Sequence, residues 1–258
     1  MDLGLVGKAA LVAGATEGIG RATAQVLAGE GARIFAIARR AEGLQALQEE
    51  IGCGWAAADL TDTAAIDAAV KAACDHFGVA PDILVVSAGA AQGGLFWDID
   101  DQTWADAMNL KFMGTVRLLR AVAPRMAKAG RGRIVVIVGN NGKQPSARMA
   151  PGSAANAACL AVISALAEEL APLGISVNAL NPGPTRTNRW DVLIDRLAHT
   201  EGRPRAEVEA ERLATMPRGR IGEPQEMARL AAVLASDLAD MITGTSLTAD
   251  GGATRALA

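Results

Sequence analysis

The sequence predicts an α/β fold: a doubly wound, parallel, seven-stranded sheet of Rossmann type with helices on both faces. Three observations carry this. Short apolar runs alternate with longer stretches of helical period along the whole 258-residue chain. The first apolar run, 8–13, leads directly into the glycine turn Gly14-Ala15-Thr16-Glu17-Gly18-Ile19-Gly20 and then into a helix. Half of the residues are hydrophobic but only 3% are aromatic, so Ala, Leu, Val and Ile must fill the core of one domain spanning 1–258.

The elements follow in order. Strands are expected at 8–13, Ala32–Ala38, Gly54–Ala58, Ile83–Ser87, Arg133–Val138, Ile175–Leu180 and Ser246–Ala249, short runs bounded by turn residues. Helices are expected near 18–29, 41–51, 63–77, 101–128, 152–172 and 223–236. Thr61-Asp62-Thr63 and Asp100-Asp101 supply side-chain caps for two of these, and Pro151 suits the first turn of a third. From Pro184 to about Pro217 the alternation breaks into a charge-rich stretch holding Thr185, Arg186, Trp190, His199 and Arg205. An insertion of this length reads as a substrate lid, residues 184–217; a pair of surface helices is the alternative.

Composition narrows the partners. A net charge of −3 gives no reason to expect nucleic acid or an anionic membrane. Three cysteines without paired spacing, and two histidines, argue against a disulfide framework and against a metal site, and favour a reducing, cytoplasmic compartment. The first residues lack a basic leader pattern, and no stretch reads as the roughly 18–20 apolar residues of a membrane span. The expected partner is a small-molecule substrate.

The glycine turn is a phosphate site in its local chemistry. Strand, turn and helix together present free backbone N–H groups and the positive end of a helix. At the end of the second strand, where an NAD site places an acid for the ribose 2′-hydroxyl, stands Ala38, followed by Arg39 and Arg40. Arg39 suits a 2′-phosphate, which favours NADP(H), with NAD(H) as the alternative and Glu17 as the residue that argues for it.

The G-x-x-x-G-x-G turn resembles the cofactor loop of the short-chain dehydrogenase/reductase family, in particular its members of the 3-oxoacyl-acyl-carrier-protein reductase kind. The likeness runs to the last strand. Asp59-Leu60 looks like the family's adenine-contacting element, Ser87-Ala88-Gly89 like its Asn-Ala-Gly, and Pro182-Gly183 with Thr187 like the element beside the nicotinamide. Arg220-Ile221-Gly222-Glu223-Pro224 and Asp250-Gly251-Gly252 are also similar. The resemblance implies that Gly14, Thr16, Gly18, Ile19, Gly20, Arg39, Asp59, Leu60, Ser87, Ala88, Gly89, Asn156, Pro182, Gly183 and Thr187 hold the cofactor. It also implies a homotetramer or homodimer built through the two long helices.

The family's chemistry is carried by a Ser, a Tyr and a Lys acting with an Asn. Here Asn109 matches the Asn. The strand Gly132-Arg133-Ile134-Val135-Val136-Ile137 places the Ser position at Gly139, and counting back from Ala167-Glu168-Glu169 places the Tyr at Gly152 and the Lys at Asn156. The chain contains no tyrosine at all, so no shift of register restores the usual acid. A positioned general acid is worth about 10²–10⁴ in rate. Lys143 is the candidate replacement, on a loop that also carries Asn140, Asn141 and Ser146. Three readings stay open. The first is a nicotinamide oxidoreductase whose acceptor, an imine or a quinone-like compound, needs no tyrosine acid. The others are an inactive nucleotide-binding pseudoenzyme and a non-redox lyase or isomerase on the same fold.

Overall fold

Parallel strands cannot be joined by tight turns, so each connection crosses a face of the sheet and covers it with a helix. The computed structural model describes residues 2–89 and 93–255, so Met1 and the last three residues of the expected 1–258 domain lie outside the described residues. The strands are β1 (Ala9–Ala13), β2 (Arg33–Ala38), β3 (Gly54–Ala57), β4 (Ile83–Val86), β5 (Gly132–Ile137), β6 (Ile175–Pro182) and β7 (Ser246–Ala249). They form one parallel sheet in the order 3-2-1-4-5-6-7. The order reverses between β1 and β4, and in open sheets of this kind the ligand crevice lies at the carboxyl ends of the strands at that point.

Alternate residues of each strand face opposite sides, and both sides are apolar. Leu11, Leu84, Val86, Ile134 and Val136 pack under α3 (Thr63–Phe77), α5 (Gly114–Ala129) and α6 (Ala150–Leu170). Val12, Ile83, Val85, Val135 and Ile137 pack under α1 (Gly18–Gly29), α2 (Ala41–Ile51) and α9 (Pro224–Leu234). Asp62 caps α3 by accepting from the N–H groups of Ala64 and Ala65, and Asp100 caps α4 (Asp101–Ala107) by accepting from that of Thr103.

Three features depart from the sequence reading. The expected helix 101–128 is α4, a π-helical segment Met108–Met113, and α5, one rod with a wider turn in its middle. The expected lid is the pair α7 (Asn188–Glu201) and α8 (Arg205–Ala214), closed over a small core of Trp190, Ile194 and Ile221 that is separate from the two sheet cores. Arg205 ties the pair by reaching Asp191 at 2.6 Å and Asp195 at 2.8 Å. Finally, α6 with its 3₁₀ extension, Ala150–Leu173, is long and apolar enough by length and composition to cross a membrane, against the expectation of no such segment. Its alanines dilute the apolar signal in the sequence. In the fold one face, with Cys159, Ile163, Ala167 and Leu170, is buried against the sheet.

Residues 184–217 rest on a small separate core and on exposed ion pairs, features of a segment that opens locally. In hydrogen exchange this stretch should be the least protected in the free protein and should gain protection when cofactor and substrate are added. Uniform protection in the free protein would instead mark α7 and α8 as a plain structural insertion.

Candidate cofactor and catalytic cleft

The cleft is built from backbones that approach more closely than side chains allow. Gly14 follows β1 at φ +79°, and a Cβ there would stand 2.8 Å from the Ala88 nitrogen and the Ser87 carbonyl. A Cβ on Gly20 would run into the Gly14 carbonyl and lie 3.1 Å from the Ser87 Cβ. A Cβ on Gly18 would lie 3.1 Å from the Thr187 methyl at the start of α7. These contacts bring three of the sequence-predicted groups together: the glycine turn, the segment Ser87–Gly89 after β4, and the element 182–187 after β6. The free N–H groups of the α1 start open onto the same space, with no side-chain cap to occupy them.

The second-strand end divides two arginines. Arg40 donates to the Glu17 carboxylate at 2.8 Å across the glycine turn. Arg39 is exposed and forms no ion pair among the described residues, though it acts at a distance on Asp59. The Asp59 carboxyl is held below its usual range first by the Thr61 backbone N–H, with the Thr61 hydroxyl adding to it, both at 2.8 Å. Glu17, the residue that argued against a phosphate beside Arg39, thus pairs with Arg40 and not with Arg39.

Positions 139, 152 and 156 meet less simply. Gly139 adopts φ +120°, and a Cβ there would lie 3.1 Å from the Asn156 side-chain nitrogen. The two positions are thus adjacent in space, but the backbone at 139 is one that a serine would strain. Gly152 is buried in the first turn of α6. Asn109 spends its side-chain oxygen on Arg117 at 2.8 Å, and its backbone carbonyl accepts from the same guanidinium at 3.1 Å. Arg117 also reaches the Leu60 carbonyl at 3.2 Å, so Asn109 and Leu60 are linked through it.

The Lys143 side chain is engaged by the main chain of β7. Its ammonium donates to the Ser246 carbonyl at the start of β7, at 2.7 Å. The loop around it is pinned to the C-terminal segment by Asn140 to Asp250 and by Gln144 to the Arg255 N–H.

Sequence reasoning missed Lys111. It lies in the π-helical segment, 9% exposed, and its ammonium donates to the Ile137 carbonyl at 2.6 Å and to the Ala88 carbonyl at 3.2 Å. A side chain on Gly89 would collide with the Lys111 stem, so the glycine opens its path. Burial pushes the ammonium down to about 8; the Cys159 thiol beside it works against that shift, and the Arg189 guanidinium of α7 adds to it. Burial in turn pushes the Cys159 thiol up. The signal was in the sequence: one lysine inside the otherwise apolar Leu110-Lys111-Phe112-Met113 of a long helix.

The pattern of a protein family described as enoyl-(acyl carrier protein) reductase matches residues 14–254. The 3-oxoacyl-(acyl-carrier-protein) reductase FabG of Vibrio cholerae is 35% identical over 252 residues, which cover 97% of this chain and 98% of that protein. Among solved structures, an actinorhodin polyketide ketoreductase with NADPH has a TM-score of 0.93 at 32% identity, covering 96% of this chain and 98% of its own. The L-sorbose reductase of Gluconobacter frateurii, complexed with NADPH and L-sorbose, has a TM-score of 0.91 at 30% identity, and the match covers 100% of both chains.

The buried ammonium has a measurable cost. An unfolded lysine titrates near about 10.4. Below the folded value of about 8 both states hold the proton, and the fold carries the full cost of a buried charge. Between those values only the unfolded chain keeps it, so this group makes stability rise with pH there. Lys111→Met should therefore be at least as stable at pH 7, by up to about 3 kcal/mol, and should lack that rise. Denaturant titrations of both proteins from pH 7 to 10 test this. An unchanged pH slope in the variant would contradict it.

Proposed function

We propose that this chain, which belongs to the short-chain dehydrogenase/reductase family, is an NADP(H)-dependent oxidoreductase with a non-standard active site that acts on a small molecule. The observation that carries this reading is the glycine cradle. The close approaches at Gly14, Gly18 and Gly20 leave a side-chain-free surface of N–H donors that fits a dinucleotide pyrophosphate. The two solved relatives above were each crystallised with NADPH. Arg39, unoccupied by Glu17, is the residue for the 2′-phosphate, and Asp59 with Leu60 flanks the adenine. Ser87–Gly89, Asn156, Pro182, Gly183 and Thr187 border the nicotinamide end.

A reduced nicotinamide, when bound, supplies a hydride. The residues of this chain receive and orient the acceptor, and they lack the phenol that would protonate an alkoxide. An acceptor that is already electron-poor or delocalises its charge, such as an imine or a quinone-like compound, suits such a site. The absence of tyrosine, together with a backbone at Gly139 that suits glycine and not serine, also supports a second reading, a nucleotide-binding pseudoenzyme. A lyase or isomerase on the same cradle is a third.

For assembly we propose a homodimer or homotetramer, placed in the cytoplasm. α6 exposes Ala154, Ala157, Ala161 and Ala165 on its outer side, with Glu168 and Glu169 near its end. A groove between α5 and α6, lined by Val116, Leu119, Ala123, Val162, Leu166 and Leu173 among others, offers the surface for a second copy.

Two measurements test the reading. By calorimetry NADPH should bind at least about tenfold tighter than NADH, a margin of about 1.4 kcal/mol, and Arg39→Ala should remove most of it. Equal binding of the two by the unaltered protein would sink the NADP(H) assignment. Against a panel of ketones, imines and quinones, simple ketones should turn over with kcat well below the usual range of about 1–10³ s⁻¹. Gly152→Tyr with Asn156→Lys should then introduce some ketone reduction, while adding Gly139→Ser should help little because of φ +120° at that position. Ordinary ketone turnover by the unaltered chain would show that a replacement acid is present.

A further inference from the structure

Lys111 is the one lysine in the described residues that the fold carries into its interior. Its two acceptors are uncharged carbonyls, and it forms no ion pair among the described residues. A buried cation without a carboxylate is costly, and two hydrogen bonds to carbonyls offset only part of that cost. Its place gives it an effect beyond tying two strands. The Ala88 carbonyl belongs to the segment against which Gly14 packs, and the Ile137 carbonyl lies two residues before Gly139, which abuts Asn156. The ammonium therefore sits under the strand ends that, on the proposed function, border the nicotinamide.

We propose that Lys111 sets the redox-state preference of the cofactor site: its positive charge disfavours the cationic oxidised nicotinamide relative to the neutral reduced ring, and loss of its proton releases that preference. The inference rests on the cofactor reading given above. The ring of NADP⁺ carries one positive charge and that of NADPH none, so a fixed cation nearby discriminates between them with no change in contacts. By linkage, NADP⁺ binding lowers the proton affinity of Lys111 and expels protons, whereas NADPH binding does not. The titratable and charged groups acting on Lys111 are the Cys159 thiol from α6 and the Arg189 guanidinium from α7, which itself lies near Glu17 of the glycine turn. A value of about 8 puts the change inside a range where protein and cofactor can both be handled. As it acts through the field and touches neither substrate nor cofactor, Lys111 is a positioning residue.

The test uses NADPH and NADP⁺ themselves, titrated by calorimetry and fluorescence at pH 7.0 and 9.5, with the whole chain and with Lys111→Met. In the unaltered protein the ratio of the NADP⁺ to the NADPH dissociation constant should fall about tenfold from the lower to the higher pH. In Lys111→Met it should be low and independent of pH. Should that variant not fold, titrations of the unaltered protein at pH 8, in buffers of different ionisation enthalpy, decide the matter. NADP⁺ should release a fraction of a proton and NADPH none. A ratio with the same pH dependence in the variant, or equal proton release by both cofactors, overturns the proposal and leaves Lys111 as a tie between β4 and β5. Failure of NADPH to bind at all would instead overturn the cofactor reading, a different and separable result.

Discussion

The approach of the Gly14 turn to the Ser87–Ala88 backbone is the constraint on which the rest of this structure depends. Two parallel strands separated in sequence by three helices and two further strands must end side by side with no side chain between them. That contact fixes where α1 begins and therefore where its free N–H groups point. It also sets the height at which the segment after β4 leaves the sheet. Lys111 passes beneath that segment at Gly89, and Thr187 arrives from β6 to touch Gly18. A larger residue at 14 or 20 would not merely crowd a loop; it would part the two halves of the sheet at the point where the strand order reverses.

The strands were legible because they are buried on both faces and so read as unbroken apolar runs. The glycine turn was legible because close backbone approach has no other residue that serves it. The helix pair 188–214 was readable as an interruption, with a lid and a pair of surface helices as its two readings, since its core is three residues drawn from α7 and the segment after α8. The π turn at Met108–Met113 has no local signature in propensity, and the strict helical period read across 101–128 conceals it. At the site, residue identity was visible but direction was not. Lys143 was a plausible acid by sequence neighbourhood, yet its ammonium is held by the Ser246 carbonyl, more than a hundred residues away. Lys111 went unnoticed because a lone lysine in a helix ordinarily faces water, and only tertiary packing turns this one inward.

The absence of tyrosine from the chain goes together with an unusual main-chain conformation at Gly139. Gly139 adopts a conformation that other residues rarely share, so the main chain at that position is itself suited to glycine. The floor of the site carries a cation on the π-helical segment, and a second cation, Arg189, stands within electrostatic range on α7. Positive charge in such a cleft favours species that carry or develop negative charge, which agrees with an acceptor that delocalises an oxyanion.

The π-helical turn also settles how this chain tolerates changes in length. In an α-helix one residue added or lost rotates everything beyond it by about 100°. Here the wider turn takes up one residue within Met108–Met113, so that α4 and α5 each keep their own contacts while sharing an axis. Deleting any single residue of that turn would restore ordinary helical geometry locally and swing one half of the rod against the other. Leu118, Leu119, Val122 and Met126 would leave the sheet, or Lys111 would leave the strand ends. The segment is thus a spacer whose residue count, more than its composition, is what the fold holds constant. Alanine substitutions at its half-buried positions and a one-residue deletion belong to different orders of damage, even though the second removes fewer atoms than several of the first combined.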